Sequence, residues 1–200
     1  MKRIDSRLYI FFLLPFLTTL TFAQNINTER YTVEADSKLS IEGKSSVNDF
    51  SCILEDTISE DTLQFNTEVI DDEVFISGDS ISLTINRFDC GKKGINRDFR
   101  KTLKSDVYPS IKLALLNLKI DDDMQLPSLR AEVEIQIAGV KHIMELSFDN
   151  IEQNGKQTVV SGSKVLKMSD FELHPPSPLF GLIKVDDTLT IYFDLVISKA

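Results

Sequence analysis

The chain has 200 residues, with 31 Asp and Glu against 22 Lys and Arg, so its formal net charge is −9. Such an acidic chain repels phosphate backbones, and the absence of a basic run and of tryptophan further argues against nucleic acid as a partner. The length suits one domain with a substantial core.

Residues 1–23 have the pattern of a cleaved secretory signal peptide. A basic start with Lys2, Arg3 and Arg7 precedes an apolar run, and small residues stand where a signal peptidase reads. A membrane anchor is the alternative, but the run is shorter than the roughly 20 residues that span a bilayer. Cleavage after residue 23 would remove three basic residues and one acidic residue, so the net charge of residues 24–200 is −11. We expect residues 24–200 to form one domain that does not span the membrane, in the periplasm or the medium.

Most of the remaining chain alternates polar and apolar residues with period two, which predicts half-buried antiparallel strands. Turn signals interrupt these segments about every 8 to 15 residues, as a meander requires. The clearest hairpin joins residues 129–137 to residues 141–149 through the tight turn Ala138-Gly139-Val140. A further strand contains Gly162, which permits a bend or a bulge. The pattern predicts a mainly β protein.

One short helix is predicted over residues 95–104. Ile95, Phe99 and the leucine four residues later form one apolar stripe, and basic residues gather toward the end of the segment. Asn96 is a candidate cap, and Pro109 is expected to end the helical stretch. We expect the stripe to pack on the sheet and to plug one end of a barrel.

The two cysteines, Cys52 and Cys90, both follow the signal segment. An even count in an exported chain favours a disulfide, and two separate buried thiols are the alternative. A redox role is not expected, because the chain has no C-x-x-C spacing.

Four motifs in order resemble the signature of the YceI-like family. They are Tyr31-Thr32-Val33 with Ser37-Lys38-Leu39, the segment 96–111 with its Tyr108-Pro109 pair, Ala138-Gly139-Val140-Lys141, and Ser169-Asp170-Phe171. The resemblance covers about residues 30 to 197. It implies an antiparallel, lipocalin-like β-barrel of about eight strands that holds a long apolar ligand. For some members that ligand is a polyisoprenoid chain.

An eight-stranded barrel has an interior that is either filled by side chains or wide enough for one slender ligand. On the carrier hypothesis, an isoprenoid lipid or a quinone occupies the lumen. The predicted lumen wall consists of Leu113, Leu115, Val133, Ile135, His142, Met144, Leu146, Phe148, Leu189, Ile191 and Phe193. The alternative is a non-enzymatic structural or interaction module with a filled core.

Catalysis has little support in the sequence. The chain lacks G-x-S-x-G, H-E-x-x-H, a dinucleotide fingerprint and a paired-cysteine metal site, so we expect no catalytic residues, metal or cofactor. His142 alternates with apolar residues and is expected to be a core histidine. His174 precedes two prolines and is a candidate for the barrel mouth. An enzyme on this scaffold would depend on His142. The oligomeric state stays open, with a homodimer as one option.

Overall fold

The computed structural model describes residues 27–55, 58, 62–70, 73–121 and 128–200, so the predicted signal peptide lies outside the described residues. Within these ranges there are thirteen strands, one α-helix and two short 3-10 turns. The strands are β1 (Asn27–Val33), β2 (Lys38–Ser45), β3 (Asp49–Leu54), β4 (Thr62–Ile70), β5 (Glu73–Gly78), β6 (Ile81–Thr84), β7 (Phe88–Asp89), β8 (Ser110–Asp121), β9 (Ser128–Ile137), β10 (Val140–Ser147), β11 (Asn150–Asn154), β12 (Gln157–Lys167) and β13 (Val185–Lys199). The helix α1 is Lys93–Thr102, and the 3-10 turns are Ile85–Arg87 and Met168–Phe171.

Eight of the strands form an open ring. Antiparallel ladders connect β12, β13, β1, β4, β5, β8, β9 and β10 in that order. A second branch leaves β13 through β2, β3 and β7, and the turn Ile85–Arg87 joins β7 to β6, which pairs with β8. The two branches together surround one core. The predicted class, a mainly β, antiparallel, lipocalin-like barrel with one helix, is confirmed.

The ring stays open along one seam, because no ladder joins β10 to β12 among the described strands. A side chain bridges this seam, since Lys164 Nζ donates to the Glu145 backbone carbonyl oxygen at 2.6 Å. The register of β12 with β13 runs unbroken through Gly162 and Phe193, so of the bend or bulge expected at Gly162 the bulge is absent. Gly162 instead allows close approach, since a Cβ on it would lie 2.7 Å from the Phe193 ring and 3.1 Å from the Ser147 carbonyl.

A bulge in β8 explains why that strand is apolar on both faces. Leu115 pairs with Val133, but Asn117 pairs with Glu132, so one extra residue is accommodated between them. An extra residue reverses the alternation of side chains beyond it. Leu115 and Leu118 therefore both pack against the same core.

The helix α1 is tied to the sheet at its start. A disulfide joins Cys52 of β3 to Cys90, and this confirms the predicted pair. Asn96 Oδ1 accepts the Cys90 N–H at 2.6 Å, and its Nδ2 donates to Asp89 Oδ1 at 2.7 Å. Asn96 therefore fastens the preceding turn and does not cap the helix, whose N-terminal residue has no side-chain cap.

The helix ends at Thr102, seven residues before the predicted stop at Pro109. Lys104 takes a left-handed conformation with φ of 53°, and the Ser105 N–H donates to the Arg100 carbonyl. A left-handed residue just after the last turn is a common helix terminus. The expected basic residues do lie in the last turn.

Two sequence motifs meet at the β9–β10 hairpin. Ala138 and Gly139 have φ of 49° and 87°, as a two-residue type I′ turn requires. Tyr108 lies directly on this turn, because a Cβ on Gly139 would stand 2.9 Å from its ring. No helix within the described ranges is long and apolar enough to cross a membrane.

Candidate functional site

A cavity of about 200 Å³ lies at the end of the barrel that α1 covers. Its lining includes the fully buried ring of Phe171, and one wall consists of Ile95 and Phe99 of α1 with Leu103 directly after the helix. The helix thus plugs this end of the barrel while leaving space beneath it. The cavity reaches the surface, since Val47 in its lining is 63% exposed.

The walls are almost wholly hydrocarbon. The polar members of the lining are Ser45, Asn48, Asp98, Thr102 and Lys167, and all other lining residues are apolar. Ser45 and Asn48 already bond to one another, with Ser45 Oγ donating to the Asn48 carbonyl at 2.7 Å. Such a surface favours an apolar occupant, because polar ligand groups would lose water without gaining enough partners.

Four of the predicted lumen residues line this cavity: Leu113, Ile135, Leu189 and Ile191. The other seven do not belong to its lining: Leu115, Val133, His142, Met144, Leu146, Phe148 and Phe193. Six of these are buried or half-buried and pack in the other half of the barrel, where the rings of Phe148 and Phe193 stand edge to face at 6.2 Å.

The strand register explains this division. Leu113 pairs with Ile135, and the next inward row pairs Leu115 with Val133. Both rows share one face, but two residues along a strand are about 7 Å apart. That step leads from the cavity beneath α1 into the packed half of the barrel. Alternation in the sequence identifies which side chains of a strand point inward. It does not identify which of them border the cavity, because that depends on what fills the barrel at each level.

His142 is exposed, so the expectation of a core or lumen histidine is wrong. It pairs with Ile135 on the inward face of β10, but β10 is a sheet edge, and the ring has solvent on one side and Phe171 at 5.1 Å on the other. His174 is also exposed and is not a lining residue, although its neighbour Leu173 is one.

The sequence pattern did not assign the C-terminal part of the wall. Pro176, Pro178 and Ile183 line the cavity from the loop between β12 and β13. This loop has no strand or helix periodicity, so only its apolar composition and prolines could have indicated the role. Leu39 and Ile41 of β2 also line the cavity, and their alternation was visible in the sequence.

Two carboxylates anchor the segments around the cavity. Asp187 accepts the Ser169 N–H at 2.8 Å and the Ser169 hydroxyl at 2.5 Å, which holds the turn that carries Phe171. The Ser169 hydroxyl bond is the main reason why the pKa of Asp187 is lowered. Asp89 anchors α1 in a similar way, and its hydrogen bond from Asn96 lowers the pKa of Asp89.

Gly43 keeps two wall residues close together. A Cβ on Gly43 would lie 2.4 Å from Phe50 Cζ and 2.7 Å from Leu189 Cδ2. Both side chains line the cavity, so any residue larger than glycine would displace them. The width of the cavity therefore depends on the absence of a side chain at Gly43.

The fold and the site define a class: antiparallel, lipocalin-like barrels with an apolar cavity at the end that a helix covers. The chain belongs to the YceI-like family, because the model of the YceI-like domain matches residues 44–197. This confirms the resemblance carried by the four sequence motifs. None of the curated proteins matches the chain in sequence.

Two solved structures share the fold. BcnA from Burkholderia cenocepacia superposes with a TM-score of 0.60 at 16% identity, over 82% of this chain and 99% of BcnA. A polyisoprenoid binding domain from Saccharophagus degradans, implicated in plant cell wall breakdown, gives 0.56 at 13% identity, over 85% of this chain and 98% of that domain. At these identities the likeness concerns the fold alone.

Proposed function

We propose that this chain is an exported carrier that holds a long apolar lipid, an isoprenoid-like chain or a quinone, in the cavity beneath α1. The observation that carries the proposal is the cavity itself, which has about 200 Å³ of space and apolar walls. Protein interiors normally pack to the density of organic crystals, so apolar space of this size at the end of the barrel supports a binding role. Burial of an apolar chain there is favourable, because its surface leaves water.

The relatives support the choice of ligand. Members of the same fold include a domain described as polyisoprenoid binding. The interior of an eight-stranded barrel suits one slender molecule, and an isoprenoid chain is slender along its whole length. Its methyl branches would contact the leucine and isoleucine side chains of the wall.

Export and a non-enzymatic role are parts of the same proposal. The predicted signal peptide at residues 1–23 supports a periplasmic or secreted location, and the disulfide between Cys52 and Cys90 is of the kind that persists in oxidising compartments. The proposed role is binding without covalent change, because the titratable members of the lining, Asp98 and Lys167, stand among mainly apolar residues.

A second candidate is a non-enzymatic module with a filled core that acts through its surface. The packed half of the barrel favours it, since Val133 is buried and Leu115 and Met144 pack around it where a longer lumen would run. On this hypothesis the space beneath α1 is incidental.

Native mass spectrometry of the protein exported by its own host, followed by organic extraction, separates the two candidates. The carrier hypothesis expects a discrete added mass that extracts as a long-chain lipid. A bare mass that stays unchanged after incubation with an isoprenoid quinone and with a polyprenol would favour the filled-core module.

A cavity-filled variant tests the location of the lipid. We expect Ile135→Phe combined with Ile191→Phe to lose the added mass, because both side chains line the cavity. If the larger rings exclude only two methylene groups of the lipid, the affinity falls about 15-fold, at about 0.8 kcal/mol per group. The matched control is Ile143→Phe with Val165→Phe, since both of these side chains are 59% exposed. Equal lipid retention by the two variants would place the lipid elsewhere.

A further inference from the structure

The mouth of the cavity carries exposed apolar side chains. We name Val47, Leu179, Phe180 and Leu182 the apolar rim; their exposed fractions are 63%, 62%, 109% and 80%. The two parts of the rim adjoin, because the Ser46 N–H donates to the Lys184 carbonyl at 2.8 Å. Val47 lines the cavity itself, as do Pro178 and Ile183 on either side of the loop tip. Soluble proteins rarely expose such side chains together unless the surface binds something.

The loop tip is a folded structure that holds Phe180 outward. Leu179, Phe180 and Gly181 have φ of 54°, 58° and 87°, three successive left-handed residues of which two are not glycine. Non-glycine residues rarely adopt this conformation. Backbone bonds close the turn, with the Gly181 N–H donating to the Ser177 carbonyl at 3.2 Å and the Ile183 N–H to the Pro178 carbonyl at 3.3 Å. Strained conformations of this kind are concentrated at functional segments.

Positive charge gathers on α1, which borders the same cavity. The protein has a net charge of −9, yet residues 92–104 contain six basic residues and one acid. The apolar face of the helix lines the cavity, whereas Lys93, Arg97, Arg100 and Lys101 line an open cleft on its outer side. An apolar tip beside a basic face is the pattern of a surface that binds anionic lipid headgroups.

We propose that the cavity mouth docks on an anionic lipid bilayer, with the apolar rim inserted at the acyl-chain boundary and the outer face of α1 against the headgroups. Phe180 protrudes from the surface and does not line a groove, which suits insertion into a fluid layer. The inference rests on the proposed carrier function. Docking in this orientation places the opening of the apolar cavity against hydrocarbon, so an apolar ligand can enter or leave without crossing water.

Vesicle cosedimentation of the exported protein tests the docking. The probes are phosphatidylcholine vesicles and phosphatidylcholine vesicles that also contain phosphatidylglycerol. We expect binding to the anionic vesicles that weakens as salt is added, because headgroup attraction is screened within a Debye length. Phe180→Ser with Leu182→Ser should weaken binding more than tenfold, since each large apolar side chain contributes about that factor when buried. The control is Ile143→Ser with Val165→Ser, which changes exposed apolar side chains on β10 and β12.

The charge contribution has its own pair of variants. Lys93→Gln with Arg97→Gln should weaken binding to the anionic vesicles by roughly fivefold for each removed cation and leave binding to phosphatidylcholine alone unchanged. The control, Lys112→Gln with Lys156→Gln, removes two exposed cations that belong neither to α1 nor to the apolar rim. Equal losses in the two variants would overturn the assignment of α1.

Lipid retention, measured by native mass spectrometry on the same samples, separates this proposal from the carrier function. Vesicle binding by a protein that carries no lipid would refute the carrier and leave the docking in place. A lipid-loaded protein that ignores both kinds of vesicle, or a rim variant that binds as well as its control, would overturn the docking. A rim variant that instead abolishes self-association in sedimentation velocity, with no vesicle binding by the wild type, would overturn it in favour of a protein interface.

Discussion

The disulfide between Cys52 and Cys90 should supply a large share of the stability of this protein. The bond joins residues 38 positions apart. In the chain-entropy model a closed loop of that length stabilises the folded state by about 4 kcal/mol at 25 °C, because the cross-link restricts the unfolded chain. For a domain of this size, 1 kcal/mol corresponds to about 2–4 °C in Tm. Loss of the bond should therefore lower Tm by about 8–16 °C.

Urea unfolding of three samples measures this contribution: the oxidised wild type, the wild type reduced under denaturing conditions and refolded in reductant, and Cys52→Ala with Cys90→Ala. The reduced wild type retains both sulfur atoms, so its loss of unfolding free energy reports the cross-link alone. The double variant should lose somewhat more, because Cys52 is fully buried and its removal leaves space. A reduced wild type within about 1 kcal/mol of the oxidised protein would refute the loop-entropy reasoning.

Three further predictions follow from single contacts. Ser37→Ala should lower the free energy of unfolding by about 1–3 kcal/mol in urea titrations, because it leaves the buried Val196 N–H, now bonded to the Ser37 hydroxyl at 2.9 Å, without a partner; an unchanged midpoint would contradict this. Gly43→Ala should reduce lipid retention in native mass spectrometry by pushing its two wall neighbours into the cavity, whereas Gly94→Ala, which meets nothing within 4 Å, should not; equal retention would count against the cavity. The pKa of Asp187 is lowered in the folded protein, so its contribution to stability is fully present above the unfolded-state pKa of about 3.8. That contribution is lost as the pH falls through the folded-state pKa. The difference in Tm between the wild type and Asp187→Ala should therefore shrink in acid and not in base.

The class of the fold was accessible from the sequence because period-two alternation and turn chemistry are local. The β9–β10 hairpin shows this well, since the turn lies at Ala138 and Gly139 of the predicted turn, with Val140 already in β10. The disulfide was accessible for a simpler reason: a chain with only two cysteines has a single possible pairing within itself. The helix was placed within two residues at each end, but its last turn is set by Lys104 rather than by Pro109.

The extent of the cavity was not accessible from local patterns. Leu113 and Leu115 look equivalent in the sequence, yet only Leu113 lines the cavity, because the depth along β8 at which packing ends depends on α1 and on the loop before β13. His142 alternates like a core residue and is exposed, because β10 has no strand partner along the seam. The local sequence around Phe180 also does not distinguish an exposed side chain from a buried one that anchors the loop.

The sequence by itself determined which faces of the strands are apolar, where the chain turns, which cysteines pair and which family the chain resembles, because each of these depends on residues that are near in the chain or unique in it. Tertiary structure alone decided which end of the barrel is packed and which is hollow, that β10 and β12 meet without a ladder, and that the loop tip with Phe180 stands in solvent beside the basic helix. These features depend on contacts between segments as distant as residues 46 and 184, and no local periodicity encodes such contacts.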